Sequence, residues 1–238
     1  LLFTLFNSPA YLSAAGEPVL ESQSAPTATT GNSDVTSLAV NAPAGSVAGE
    51  LLIGSIVIDG NETVTPPTGW TFIGGQSSSG VTVAAYHKVA TASEPGSYTF
   101  NWGNNQQAVA SMLRYSGADN SSPINVVTES VDNTGTSITA PSATTTVNNT
   151  TILRLMAADR DGNFNPIPTG HTEVVDTRSG TNGDSVVVGI FSVIQSTAGA
   201  TGTATATYAG VGGAEERHAL TIAIAPPAGD IAGNAFRD

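Results

Sequence analysis

The feature that most constrains the fold of this chain is a sequence segment that occurs in two similar copies, and each copy is called a phrase below. Residues 66–75 read PPTGWTFIGG, and residues 167–176 read IPTGHTEVVD. Each phrase follows an Asp-Gly-Asn triplet and precedes a valine-rich run. The offset is nearly constant across five matched segments, and 102 residues separate Asp59 from Asp161. This pattern predicts an internal duplication, so the fold must accommodate two similar halves.

Each copy consists of short segments with the residue pattern of β-strands. The segment DVTSLAVNAP alternates and stops at a proline, whereas ELLIGSIVIDGN is apolar on both faces, as a central strand is. Straight-chain helix formers are scarce, with only 7 lysines and arginines in 238 residues. The sequence therefore predicts an all-β fold, a jelly-roll-like β-sandwich built from the duplication, with an extra N-terminal strand.

The predicted organisation has four parts. Residues 1–34 form an N-terminal strand and tether, and residues 227–238 form a C-terminal tail. Residues 35–134 form the first β repeat, and residues 135–226 form the second, packed with the first. No linker separates the repeats, so one continuous sandwich and two adjacent sandwiches both fit the pattern.

The first six residues, LLFTLF, lie outside the repeats and are apolar on both faces of an extended strand. No basic residue precedes them, so we expect mature sequence rather than a secretory signal. Such a strand promotes aggregation unless another strand covers it. Either it pairs within its own subunit, or it docks as a donor strand on a neighbouring copy and extends a filament. The predicted subunit-contact residues are Leu1, Leu2, Phe3, Leu5 and Phe6.

The charge balance excludes several classes of partner. The net charge is −12 and Lys88 is the single lysine, so neither a nucleic-acid surface nor a basic membrane-surface helix is expected. No run is long enough to predict a membrane span. The chain contains 0 cysteines, which excludes disulfides and thiolate metal sites. Its Thr-, Ser-, Asn- and Gly-rich composition is typical of secreted and surface β proteins. Glycosylation sequons occur at Asn61, Asn120, Asn148 and Asn149.

The sequence contains no convincing catalytic motif. Gly183-Asp184-Ser185 matches the Gly-Asp-Ser motif of serine proteases, but three valines that continue as a strand follow it. The backbone N–H groups of this segment are therefore expected to pair in a β-ladder rather than to form an oxyanion hole. The three histidines show no metal-ligand spacing. We therefore predict no enzymatic activity and no cofactor other than a structural Ca²⁺.

The calcium prediction comes from the segment AADRDGNFN. Asp159, Asp161 and Asn163 alternate along it, and hard cations bind such oxygen-bearing loops. The alternative is a β-turn that uses Asp-Gly and Asn chemistry without a metal.

An exposed aromatic platform would indicate sugar binding, but the aromatic residues of the repeats are expected in core or turn packing. These residues are Trp70, Trp102, Tyr86, Tyr98, Tyr115 and Tyr208.

The string NAPAGSVAGELLIGSIVIDGN, with the TPPTGW and AAYHKVATASEPGSYTFNW segments that follow, resembles a group of β-sandwich modules. These modules occur in phage tail and virion accessory proteins and in secreted bacterial surface proteins. The resemblance covers residues 35–226 and implies a structural or adhesive role. We therefore predict a non-enzymatic subunit of an extracellular, cell-surface filament or pilus-like fibre that polymerises with copies of itself. The alternatives are a virion accessory protein and an adhesin module that binds surface glycans.

Overall fold

The computed structural model describes residues 16–29, 32–132, 135–210 and 216–228. These residues form fifteen strands and no helix, which confirms the predicted all-β class. The first half contains β1 (Val19–Gln23), β2 (Thr27–Ala28), β3 (Val35–Asn41), β4 (Leu51–Asp59), β5 (Thr71–Ser77), β6 (Val81–Val89), β7 (Ser97–Gln106) and β8 (Ala108–Ser116). The second half contains β9 (Ile124–Asp132), β10 (Ser137–Ala140), β11 (Thr150–Asp159), β12 (Thr172–Arg178), β13 (Val186–Gln195), β14 (Ala204–Thr207) and β15 (Arg217–Ile224).

The strands form two large antiparallel sheets and two small ones. The first large sheet has the order β1-β8-β4-β6-β5, and β2 also pairs with β8. The second has the order β9-β15-β11-β13-β12, and the small sheets are β3-β7 and β10-β14. The two halves thus have matching strand orders. The duplication that would explain this match stays an interpretation of the sequence.

Three apolar clusters hold the sheets together as a four-layer β-sandwich. The middle cluster lies between the two large sheets and joins residues such as Ile53 and Leu155. A second cluster, which contains Phe100, lies between the first large sheet and β3-β7. A third, which contains Phe191, lies between the second large sheet and β10-β14. Each large sheet is therefore covered on both faces.

Strand β4 shows how the sequence encodes this arrangement. Successive side chains of a strand point to opposite faces of its sheet. Leu51 and Val57 accordingly join the middle cluster, whereas Leu52 and Ile56 join the outer one. The prediction of a central strand buried on both faces is confirmed.

The two repeated phrases form equivalent turns. The Trp70 N–H donates to the Pro67 carbonyl at 3.3 Å, and the His171 N–H donates to the Pro168 carbonyl at 3.2 Å. In each turn the preceding glycine has a positive φ, 88° in the first and 76° in the second, which side chains rarely adopt. Because of these turns, β5 and β12 begin in the same direction relative to their sheets.

The segment expected to be a tether is partly strand. Val19 pairs with Ser116 and Thr27 pairs with Ala110, so β1 and β2 extend the first large sheet. The prediction overlooked the packing of Leu20 and Ala28 against the middle cluster. The predicted contact residues Leu1, Leu2, Phe3, Leu5 and Phe6 lie outside the described residues.

Strand β9 lies just before the predicted boundary between the two repeats. Residues 124–132 belong to the predicted first repeat, yet β9 pairs with β15 of the second large sheet. It occupies the edge position that β1 occupies in the first half. Each half therefore takes its outermost strand from the segment that precedes its repeat.

The shared middle cluster generates a stability prediction. Leu155 is 2% exposed within it, so Leu155→Ala should lower the free energy of unfolding by about 2–5 kcal/mol. Denaturant unfolding followed by circular dichroism measures this loss. Because both halves contribute to the cluster, we expect a single transition to shift as a whole.

The matched control is Val47→Ala at a position that is 57% exposed, where the loss should stay within about 0.5 kcal/mol. Two separate transitions, of which only one responds to Leu155→Ala, would contradict a common core.

Candidate functional site

The hairpin at residues 78–80, between β5 and β6, contacts the start of β15 in the other half. The Ser78 hydroxyl donates to Glu216 Oε2 at 2.6 Å, and the Ser79 hydroxyl donates to Glu216 Oε1 at 2.9 Å. The Gly80 N–H donates to the same carboxylate. These hydrogen bonds lower the pKa of Glu216, because they favour its charged form.

This contact brings a serine, a histidine and a carboxylate together, which the sequence analysis missed. Ser78 Oγ lies 3.0 Å from His218 Nε2. In a catalytic triad the acid holds the other imidazole nitrogen, whereas here Glu216 accepts from the serine itself. His218 is 0% exposed, and burial lowers its pKa. The cluster therefore forms a polar contact between the two halves, with an arrangement that differs from a catalytic triad.

The equivalent hairpin of the second half, residues 179–185, makes a reciprocal contact. The Gln107 amide, just before β8, donates to Asn182 Oδ1 at 2.8 Å. Ser185, from the Gly-Asp-Ser triplet, is 0% exposed and donates to Asn182 Oδ1 at 2.9 Å. Each half thus inserts its hairpin against the last strand of the other, and the triplet lies in a closed turn.

An acidic group lies beside the second hairpin. Asp59 is half-buried at the end of β4. Burial, together with the negative charges of Asp184 and Asp34, raises the pKa of Asp59 to about 6. Asp184 lies near Asp59 only because the second-half hairpin packs against the first half, which contains Asp59.

The residues of the predicted calcium site have separate partners. Asp161 lies 3.8 Å from Arg178, and its carbonyl accepts from Tyr208. Asp159 Oδ2 lies next to Gly80 of the first half, whereas Asn163 lines a groove on the second half. Within the described ranges no three acidic or histidine side chains are grouped in a way that would hold a metal ion. The calcium site stays a prediction.

The sequons and aromatic residues are located as follows. Asn61, Asn120 and Asn148 are exposed and Asn149 is half-buried, and their glycosylation stays a prediction. The six aromatic residues weighed as a sugar platform are at most 7% exposed, in line with the expected core packing.

A groove on the first half is the candidate binding site. It has a volume of about 510 Å³ and lies between the loop after β4 and the strands β5 and β6. Trp70, Phe72 and Tyr86 form its apolar part. Phe72 is 57% exposed, and it is the only aromatic side chain among the described residues that is more than half exposed. Its ring meets that of Tyr86 edge to face, with centroids 5.4 Å apart.

Glu62 forms the wall of this groove. Its carboxylate accepts from the Gly103 N–H at 3.1 Å and from the Asn104 side-chain amide at 2.8 Å. These bonds tie the loop after β4 to β7. A second cavity of about 500 Å³ lies on the other side of Glu62 and is lined by polar residues such as Asn61 and Asn101. The two cavities also share Thr63, so they adjoin each other.

The second half has a groove of about 530 Å³ in the corresponding place, with different chemistry. Its lining includes Glu173, Asp176 and Arg178. The register shift of β5 follows Phe72 and that of β12 follows Glu173, so the two residues are structurally equivalent. The sequence reasoning did not single out Phe72. A signal was present, because the aligned position of the second repeat holds Glu173, and a position that holds a glutamate in one copy is expected to be exposed in both.

Comparison with family models, with curated proteins and with solved structures gives no match. None of the described residues belongs to a helix of the length and apolarity that crossing a bilayer requires. The candidate sites therefore rest on their own geometry.

The environment of Asp59 generates a pH prediction. An unfolded aspartate has a pKa of about 3.9, so between about pH 4 and pH 6 the folded chain keeps a proton that the unfolded chain releases. Stability should fall as the pH rises through this window, by about 1 kcal/mol after allowance for solvent screening. Unfolding free energies at pH 4 and pH 7, measured for the wild type and Asp59→Asn, give this contribution as a difference.

The other titrating groups cancel in that comparison, because both proteins share them. Parallel pH profiles for the wild type and Asp59→Asn would refute the assignment of Asp59.

Proposed function

We propose that this chain is a non-enzymatic structural subunit of an extracellular filament or pilus-like fibre, assembled through β-strand contacts between copies of itself. The observation that carries the proposal is the four-layer stack, in which both large sheets are covered on both faces. Such a body transmits load between neighbours without internal rearrangement, because packed interiors deform little.

Polar contacts add to the rigidity of the body. The reciprocal hairpins fix the position of one half against the other through Glu216 and Gln107. In the second half Arg154, which is 1% exposed, donates to the carbonyls of Pro141 and Gly202, each at 2.9 Å. These bonds connect the central strand β11 with the loops around the small sheet.

The described sheet edges are protected against lateral pairing. A register shift interrupts the pairing of the four strands that end the two large-sheet orders, namely β1, β5, β9 and β12. Bulges of this kind discourage edge-to-edge association. Copies are therefore better joined by an additional strand that covers an apolar surface than by the edges of two bodies meeting directly.

The apolar segment at residues 1–6 has the composition of such a strand. In the proposed fibre, Leu1, Phe3 and Leu5 on one face, with Leu2 and Phe6 on the other, cover an apolar surface of a neighbouring copy. A repeated head-to-tail contact of this type extends without closing.

Deletion of residues 1–10 tests the proposal. The full chain should form linear assemblies in negative-stain electron micrographs, and the shortened chain should elute as particles of single-chain mass in size-exclusion chromatography with light scattering. The control is deletion of residues 229–238, which also lie outside the described body and should leave the assemblies intact.

Unchanged unfolding midpoints in both deletions establish that the body still folds. A full chain that stays monomeric at every concentration, or a polymer that survives loss of residues 1–10, would overturn the proposal.

A further inference from the structure

The groove beside Phe72 is lined by both apolar and polar side chains. Phe72 presents an apolar ring that is 57% exposed and that meets the Tyr86 ring in an edge-to-face contact. The same lining contains the polar side chains of Glu62, Thr63 and Ser77. A ligand that combines an apolar face with hydroxyl groups matches this lining. Pyranose rings have this combination, because their axial C–H bonds form an apolar face and their hydroxyls project around the rim.

Position 75, in the lining of the groove, requires glycine. A Cβ atom on Gly75 would lie 2.4 Å from the Val83 carbonyl and 3.4 Å from Phe72 Cε2. Any larger residue would collide with the backbone of β6 and displace the strand that carries the ring.

An extended peptide is a poorer occupant of this place. Strand addition requires free N–H groups along the edge of β5. The Gly75 N–H instead donates to Glu129 at 2.7 Å, and the Gln76 side chain donates to the same carboxylate. The register shift after Phe72 further interrupts the edge. The edge of β5 is thus unsuited to backbone pairing, while more than half of the Phe72 side chain stays exposed.

The charge of the site restricts the kind of sugar. Glu62 lines the groove, and the chain as a whole carries a net charge of −12. Acidic sugars would meet like charges at close range, which disfavours their binding. Neutral pyranoses carry no such penalty.

We propose that the first-half groove is a binding site for a neutral pyranose of a glycan chain, whose apolar face stacks on Phe72. Asn61 and Asn101, in the adjoining cavity beyond Glu62, accept the next unit along the glycan. The second-half groove, with Glu173 in place of the ring, is not a sugar site. The proposal does not depend on filament formation, since both grooves lie on the described body of one chain.

The test is titration of the full chain with the neutral hexasaccharides of cellulose, xylan and chitin and with the anionic hexamer of galacturonate. Calorimetry measures affinity, and tryptophan fluorescence reports on Trp70 in the groove. At least one neutral hexasaccharide should bind, and more tightly than the galacturonate hexamer. Phe72→Ala should weaken that binding by about tenfold or more.

Glu173→Ala is the matched control in the equivalent groove, and it should leave the affinity unchanged. Phe72→Trp, which keeps an aromatic face, should retain binding. Because positions 72 and 173 are both exposed, all three variants should keep the wild-type unfolding midpoint.

Three results would overturn the inference. The first is no binding of any neutral hexasaccharide at concentrations up to about 10 mM. The second is an affinity that Phe72→Ala leaves intact, which would place the sugar elsewhere. The third is displacement of the bound sugar by a synthetic LLFTLF peptide whose own affinity is lost in Phe72→Ala, which would make the groove a peptide site.

Discussion

The face-to-face packing of the two large sheets is the contact on which the rest of this structure depends. Each large sheet is covered on its outer side by only two strands, so its inner face needs the other large sheet to exclude water. Burial of this apolar surface supplies the main driving force, but it is non-directional. The reciprocal hairpins supply direction, because Glu216 accepts a hydrogen bond from the first-half hairpin and Gln107 donates one to the second-half hairpin. Each bond forms in only one placement of its hairpin. The two halves are therefore parts of one body rather than independent modules.

Charged side chains are few in this chain, and those described serve mainly to connect loops with sheets. Arg114 pairs with Glu50 at 2.7 Å, and Lys88 pairs with Glu94. Arg154 is nearly inaccessible, and burial lowers its pKa to about 10 while four oxygen atoms accept its hydrogen bonds. A buried charge that lost these partners would be costly, so each contact specifies one arrangement of its loop. Because its charges are spread over such separate contacts, the described part of the chain is held together by shape and packing more than by one concentrated electrostatic site.

The two grooves show how matching halves can differ in chemistry. The backbone places a groove after the central strand of each large sheet, and the register shift falls at the same point. The side chain at that point is Phe72 in one half and Glu173 in the other, so the first groove has an aromatic ring where the second has a carboxylate. Neither residue contributes to the apolar clusters, and for that reason the fold leaves both positions free to vary.

The sequence by itself determined the all-β class, the strands of the repeats and the equivalent turns, because alternation and positive-φ glycines are local properties. It also placed the six aromatic residues of the repeats in the core. It could not determine which sheet covers which face, so it missed the pairing of β1, β2 and β9 and the contact between Ser78 and Glu216, 138 residues apart. The groove around Phe72 and the raised pKa of Asp59 likewise arise only when distant segments are brought together. Periodicity identifies the two faces of a strand, but only the stacking of the sheets decides what each face meets.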